Sequence, residues 1–144
     1  MSTDRAAPLL GFDFGLRRIG VAIGQPLTGQ ARPLTTLDAQ QGAPQWSQLA
    51  ALLTAWRPAA LVVGIPYHLD GSEHQLTCAA RRFRNRLAGR YNLPVHEVDE
   101  RLTSDEAERQ LRAGGTHNRH AVAAACDPLA AALILQQWLD SNPT

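Results

Sequence analysis

The N-terminal part of the chain alternates short apolar runs with polar turns. Residues 8–14 (PLLGFDF) predict a strand that ends at Asp13, and the following GLRR predicts a turn. IGVAIG at 19–24 predicts a second strand, close enough to the first to form a hairpin. A third extended segment is predicted at 32–37, before the polar break DAQQGAP. We therefore expect the chain to begin with a three-stranded meander.

From residue 46 onward the apolar positions follow a helical period. The first helix ends at Pro58, and its apolar positions are Trp46, Leu49, Leu53 and Trp56. A second helix is predicted at about 73–90, with a buried stripe formed by Leu76, Ala80, Phe83 and Leu87. Between them, ALVVG at 60–64 predicts a strand buried on both faces, as in a parallel sheet, and a fifth strand is predicted at 94–98.

The last third of the chain predicts two further helices. The run from Thr103 to Glu106 (TSDE) is a capping box, which begins a helix that ends at Gly114. A polar stretch, THNRHA, then precedes a final helix that opens at Asp127. Its predicted core face consists of Leu129, Leu133, Gln136 and Leu139.

The order β-β-β-α-β-α-β-α-α predicts an α/β fold with a mixed five-stranded sheet and helices on both faces. At 144 residues we expect one domain covering 1–144, with loosely packed termini at about 1–7 and 140–144.

Composition excludes several classes of protein. Apolar residues make up 44% of the chain, but no apolar run is long enough to cross a bilayer. The segment MSTDRAAPLL has early charges and no long apolar stretch, so we do not expect a secreted protein. Two cysteines, Cys78 and Cys126, suggest no disulfide framework, so we expect a cytoplasmic protein. The net charge is +1, and all fourteen basic residues are arginine, whose planar guanidinium suits phosphate.

Three acidic residues stand where catalytic carboxylates are expected. Asp13 ends the first strand, Glu100 follows the fifth, and Asp127 opens the last helix. The carboxyl ends of neighbouring strands in an open α/β sheet share one edge, where such sheets place their sites. Each acid also has a structural interpretation: a turn residue at Asp13, a surface ion pair with Arg18 or Arg101 at Glu100, and an N-cap at Asp127.

Three converging carboxylates require a cation to remain ionised in a partly dry site. Hard oxygen ligands favour Mg²⁺ or Mn²⁺, and a pair of such ions can drive phosphodiester hydrolysis without a nucleophilic side chain. The acids therefore suggest a two-metal-ion nuclease.

Four sequence blocks resemble those of one family. DFGLRRIGVAIG, GIPYHLDG, VDERLTS and CDPLAAALILQ are similar, in order and spacing, to blocks of the YqgF/RuvX family of Holliday-junction resolvases, from about residue 9 to 139. The resemblance implies a ribonuclease H-like fold and a divalent-metal nuclease site at Asp13, Glu100 and Asp127. Related resolvases tend to carry a fourth acid on the last helix, but here none follows Asp127 until Asp140. Asp99 is expected on the opposite side of its strand from Glu100, so the fourth ligand stays open.

Candidate contacts to nucleic acid are basic or aromatic residues near these blocks. Arg18 is the preferred phosphate contact because the turn holds it beside Asp13. The full predicted set is Arg17, Arg18, Tyr67, Arg82, Arg86, Arg101, Arg119 and His120. For Arg82 and Arg86 a solvated helix face is the preferred interpretation, and Tyr67 can equally well cap the core instead of stacking on a base.

Two substrates fit the resemblance: branched DNA such as a four-way junction, and the 5′ end of precursor 16S ribosomal RNA. Symmetric junction cutting requires two sites and so a homodimer, for which Trp138 is a candidate contact if it is unburied. A non-catalytic nucleic-acid or ribosome-associated module is an alternative function. An actin/sugar-kinase-like nucleotide-binding protein is another, because DFGxxxxG also resembles a phosphate loop of that superfamily.

Overall fold

The computed structural model describes residues 7–67, 70–73, 75–100 and 119–142, and only the backbone of 119–127. The predicted helix after Thr103 lies outside these residues. The elements are β1 (Leu9–Asp13), β2 (Arg18–Gln25), β3 (Gln30–Gln40), β4 (Ala43–Pro44), α1 (Trp46–Trp56), β5 (Ala60–Ile65), α2 (Gln75–Tyr91), β6 (Val95–Asp99) and α3 (Arg119–Ser141).

The strands form one mixed sheet in the order β4-β3-β2-β1-β5-β6. β1 to β4 pair antiparallel in sequence order, as the predicted meander requires. β5 then pairs parallel with β1, and β6 pairs parallel with β5. The sheet therefore has β1 at its centre, between the meander and the two crossover strands.

Among the described residues the sheet has six strands rather than the five predicted. β3 runs on to Gln40 through residues that were predicted as a polar break, and the chain then reverses to form β4. The two turn residues, Gln41 and Gly42, both have positive φ, at 51° and 85°, which is typical of the tight type I′ hairpin turn. The outer side of β3 is covered by β4 only at Ala39 and Gln40, and its polar, partly exposed side chains conceal the strand period, which is why the prediction was wrong here.

The strands bury side chains on both faces of the sheet. One, the α1/α2 face, is covered by α1 and α2 over a core that includes Leu10, Phe12, Ile19, Val21, Leu61 and Val63. The other, the α3 face, is covered by α3 over a core that includes Leu9, Ala22, Ala60, Val62 and Val98. Alternate residues of each central strand point to opposite cores.

The helices of the α1/α2 face agree closely with their predicted spans. α1 is capped by Arg57, whose φ of 46° is left-handed and whose N–H donates to the carbonyl of Leu53 at 2.8 Å, just before Pro58. α2 buries Thr77 together with three of its predicted stripe residues, Ala80, Phe83 and Leu87. Thr77 is tolerated there because its hydroxyl donates to the carbonyl of Pro66.

α3 begins eight residues earlier than predicted. The helix starts at Arg119, within the stretch predicted as a polar loop, and Pro128 lies inside it rather than at its first turn. The prediction that Asp127 opens the helix was therefore wrong. The alanine-rich segment at 121–125 favours helix strongly enough to override the Asp-Pro start signal.

The core face of α3 also differs from the predicted one. Apart from Leu139, the predicted positions are only half-buried, and the fully packed residues are Ala131, Ala132, Ile134, Leu135 and Leu139. The sheet beneath explains the rotation. A Cβ at Gly11 or Gly24 would lie 2.8 Å from Leu135, so these glycines let α3 approach the sheet closely along the line of Leu135.

Candidate active site at the carboxyl ends of β1 and β6

Asp13 is the last residue of β1 and lies at the centre of the sheet. In the strand register it is opposite Gly64 of β5 on one side and Gly20 of β2 on the other. Phe12 belongs to the α1/α2 core, so the alternation of the strand places Asp13 on the α3 face. Its half-buried carboxylate is thus flanked on both sides by residues without a side chain.

Glu100 follows β6 directly and reaches the same face. A Cβ at Gly64 would lie 2.8 Å from Glu100 Cγ and 3.1 Å from its Oε1, so the glutamate side chain lies over Gly64. Asp99 is paired with Ile65, which belongs to the α1/α2 core, and therefore lies on the opposite face. The structure brings Asp13 and Glu100 together on the α3 face and leaves Asp99 apart from them.

The third predicted acid is carried by α3. Ala131 and Leu135 lie over Gly11, and Leu135 and Leu139 lie over Gly24, so α3 runs antiparallel to β1. The N-terminal part of α3 therefore extends towards the end of β1 that carries Asp13. The backbone of Asp127 is one helical turn before Ala131, and its side chain lies outside the described residues.

The described donors suit a hard divalent cation. Two carboxylates share one sheet face, and the missing side chain at Gly64 leaves room for the Glu100 carboxylate between the strands. Carboxylate oxygens are the ligands that Mg²⁺ and Mn²⁺ prefer. In the part of the chain that the structure describes, no group of three or more histidine, cysteine or acidic residues could hold a metal. The pair therefore fits such an ion but needs a further ligand.

Asp140 is excluded as that ligand by its position. It is exposed at the far end of α3, where its Oδ1 accepts a hydrogen bond from Gln136 Nε2 at 3.0 Å. Gln136 Nε2 also bonds the carbonyl of Gly29 at 2.7 Å, in the turn between β2 and β3. That turn lies at the edge of the sheet opposite to Asp13.

The two arginines of the first turn are exposed but differ in position. Arg18 begins β2 two residues before Gly20, the partner of Asp13, so strand alternation places it on the α3 face with the carboxylates. Arg17 lines a groove beside β3 and β4, and its carbonyl accepts the Ala39 N–H at 2.8 Å. Of the two, Arg18 is better placed for a phosphate held at Asp13.

Tyr67 follows β5 at the same edge of the sheet and is engaged by α2. Arg81 donates a hydrogen bond from Nη2 to the Tyr67 hydroxyl at 3.0 Å, and its Cζ lies 5.7 Å from the ring centroid. Arg81 also forms an ion pair with Glu73, and both hydrogen bonds raise the pKa of its guanidinium. The sequence did not reveal this contact, because it joins residues fourteen positions apart across a loop.

The arginines of α2 lie on the face opposite to the carboxylates. Arg84 pairs with Glu97, and Arg90 lies over the Trp46 ring. Arg82 and Arg86 are exposed and form no ion pair with any residue that the structure describes. They lie on the other side of the sheet from Asp13, and their contact with nucleic acid stays a prediction.

The other predicted contacts, Arg101, Arg119 and His120, have side chains outside the described residues. The described helices include none with the length and apolar character of a membrane-spanning segment.

The feature that sequence reasoning missed is the pair of glycines beside Asp13. These glycines are Gly20 in IGVAIG and Gly64 in GIPYHLDG. Only the strand order shows that they lie on either side of Asp13.

Comparison with known proteins places the chain among nucleases. Residues 7–141 match the family described as "RuvX: Holliday junction resolvase". A "putative pre-16S rRNA nuclease" of Pseudomonas putida is 51% identical over 138 residues, 93% of this chain and 95% of that protein. The protein of the same name from Azotobacter vinelandii is 50% identical over 138 residues, 94% of each chain.

Solved structures share the fold at low sequence identity. RuvC of T. thermophilus, in complex with a Holliday junction substrate, has a TM-score of 0.54 at 16% identity and covers 94% of both chains. The Holliday junction resolvase of fowlpox virus has a TM-score of 0.53 at 10% identity, over 93% of this chain and 99% of that one. These likenesses confirm the predicted ribonuclease H-like α/β fold.

Proposed function

Because the chain belongs to the RuvX family and is a nuclease, we propose that it cleaves phosphodiester bonds in structured nucleic acid at a site formed by Asp13, Glu100 and Asp127. One observation carries the proposal: Asp13 and Glu100, far apart in the chain, lie on one face of the sheet, where Glu100 lies over Gly64, the strand partner of Asp13. The family match favours this function over a nucleotide-binding protein.

The three carboxylates would hold Mg²⁺ or Mn²⁺, as a pair of ions. Bound there, the ions would activate the attacking water and stabilise the leaving oxygen. Asp13 and Glu100 supply oxygen ligands from the central and edge strands, and α3 supplies Asp127 from above the sheet. Because the ligands come from the sheet and from a helix, α3 has to be packed rigidly on the sheet. A small displacement of one carboxylate would lower the affinity of the whole site for the ions.

Arg18 would clamp the phosphate held at Asp13, the one that is cut. It shares the α3 face with Asp13, and its guanidinium can form two parallel hydrogen bonds to phosphate oxygens. Tyr67 stands at the same edge of the sheet, where Arg81 donates a hydrogen bond to its hydroxyl. From this position the Tyr67 ring would stack on an unpaired base of the substrate.

Two substrates are proposed for this site, the 5′ end of precursor 16S ribosomal RNA and a four-way DNA junction. The relatives are named pre-16S rRNA nucleases and the family is described as a Holliday junction resolvase, which supports both. A cleavage panel distinguishes them: matched junction, flap, single-stranded DNA and precursor RNA, each with Mg²⁺, Mn²⁺ or EDTA. Junction cutting further predicts a homodimer, which sedimentation would detect. A cytoplasmic location belongs to the same proposal, because a free exposed thiol such as Cys78 suits a reducing compartment.

The deciding experiment removes one charge at a time. We expect Asp13→Asn and Glu100→Gln to abolish metal-dependent cleavage while leaving substrate binding in EDTA and thermal unfolding near those of the wild type. Asp140→Asn is the matched control, an acid at the distant end of α3, and should cleave normally. Undiminished cleavage by Asp13→Asn, or full activity in EDTA, would disprove the assignment. Binding without any cleavage would instead indicate a non-catalytic module.

A further inference from the structure

We propose that Gly64 is a positioning residue: the absence of a side chain there lets the Glu100 carboxylate lie across β5 towards Asp13. This inference rests on the proposed function, because it concerns ion binding at the same site. It predicts that metal affinity depends on a residue that offers no ligand atom of its own.

The strand order explains why such a position is needed. β5 separates β1 from β6, so the backbones that carry Asp13 and Glu100 are two strand spacings apart, roughly 10 Å. Two carboxylates bind one divalent ion only when their oxygens lie within about 2 to 2.5 Å of it. At least one side chain must therefore cross the surface of β5, and the glutamate has the additional methylene for that reach.

The contact at Gly64 shows that the glutamate is the one that crosses. A Cβ at this residue would lie 2.8 Å from Glu100 Cγ and 3.1 Å from Oε1, closer than ordinary van der Waals contact. The same Cβ would overlap Cδ1 of Ile134 on α3. Any side chain at 64 would stand between the two carboxylates and under the helix at once.

Other glycines on the α3 face separate these two effects. A Cβ at Gly11 or Gly24 would meet Leu135 at 2.8 Å, as the close approach of α3 requires, but the atoms nearest to either belong to α3 alone. Helix packing therefore accounts for Gly11 and Gly24. At Gly64 the glutamate is an additional neighbour, and it is the one that links this glycine to the site.

The test uses Mn²⁺ binding without substrate, measured from the electron paramagnetic resonance signal of free Mn²⁺. Ile134→Val removes the Cδ1 atom that an alanine at 64 would overlap, so it provides the background for Gly64→Ala. We expect the Gly64→Ala/Ile134→Val protein to bind Mn²⁺ roughly tenfold or more weakly than Ile134→Val alone. Gly24→Ala presses on the same helix away from Glu100 and should bind Mn²⁺ within about threefold of the wild type.

Thermal unfolding of each variant identifies a purely structural effect. The inference is overturned if the double variant, folded as stably as Gly24→Ala, binds Mn²⁺ as well as Ile134→Val. It is also overturned if Gly24→Ala weakens Mn²⁺ binding as much as the double variant does, since helix displacement would then explain both. Failure of the proposed function looks different: wild-type protein would take up no Mn²⁺, or Asp13→Asn would take up as much as wild type.

Discussion

The imidazole of His96 stacks on the indole of Trp138, with ring centroids 4.1 Å apart and planes 15° from parallel. His96 belongs to β6 and Trp138 to α3, so this contact packs the helix against the edge strand β6, which Glu100 follows directly. Trp138 is half-buried by this contact and by the α3 core. It is therefore not the unburied tryptophan that the sequence offered as a dimer contact.

The stack predicts a pH dependence of stability. Burial lowers the pKa of His96 below its ordinary 6.5, so the folded protein binds the proton less readily than the unfolded chain. The contribution is complete above pH 6.5 and is lost as the pH falls from 6.5 through the lower folded value. We expect the urea midpoint to fall between pH 7.5 and 5.5, and to fall less in His96→Phe.

His96→Phe keeps an aromatic partner for Trp138 but cannot titrate. The other four histidines are present in both proteins, so their titration cancels in the comparison. Equal losses of stability in the two proteins would show that His96 does not contribute.

Phe83 predicts a large effect on stability that leaves the site intact. Its ring packs against Phe12, Phe14 and Trp46, with centroids 5.7, 5.4 and 6.4 Å away, and only 1% of it is exposed. Phe83→Ala should lower the free energy of unfolding by about 3–5 kcal/mol, and Phe83→Leu by about 1.5 kcal/mol or less. Urea titration measures both.

The core around Phe83 lies on the face opposite to Asp13 and Glu100. Mn²⁺ affinity of folded Phe83→Leu should therefore equal that of the wild type. A marked loss of affinity would mean that the two faces of the sheet are coupled.

Local periodicity carries most of the fold but only part of the site. Short stretches of sequence determine β1, β5, α1 and α2, because an apolar run or a helical spacing is recognisable within about ten residues. The sequence alone therefore predicts these elements. The placement of Asp13 and Glu100 at strand ends followed from the same elements. The contact of Glu100 with Gly64 did not, because it depends on β5 lying between β1 and β6.

The start and rotation of α3 were mispredicted for a related physical reason. Asp127-Pro128 has the local features of a helix start, yet the alanine run before it continues the helix to Arg119. The buried face is then decided by the glycines of β1 and β2 on which Leu135 rests. Such complementarity between distant segments leaves no periodic signal in either one.

The ion pair between Arg84 and Glu97 predicts a small coupling energy. Arg84 Nη1 lies 2.6 Å from Glu97 Oε2, but the side chains are 27% and 39% exposed, so solvent screens the attraction. A double-mutant cycle with alanine at both positions should give about 0.2–1 kcal/mol by urea unfolding. The same cycle between Arg86 and Glu97 is the control and should give no coupling energy. A coupling energy above about 2 kcal/mol between Arg84 and Glu97 would show that solvent does not screen this pair.

The two arginines of the first turn predict a ranking in substrate affinity. Arg18 lies on the α3 face with Asp13, whereas Arg17 lines the groove beside β3 and β4. Arg18→Ala should weaken binding of a fluorescent four-way junction or precursor RNA by roughly tenfold, the value of one charge-assisted contact to phosphate. Arg17→Ala should weaken binding by less, mainly at low salt, since it removes only non-specific electrostatic attraction to the nucleic-acid backbone.

Arg18→Lys keeps the charge but loses the two parallel hydrogen bonds, so its affinity should lie between those of wild type and Arg18→Ala. Fluorescence anisotropy in EDTA separates binding from cleavage, and an Arg17→Ala defect equal to or larger than that of Arg18→Ala would place the substrate on the other side of the turn.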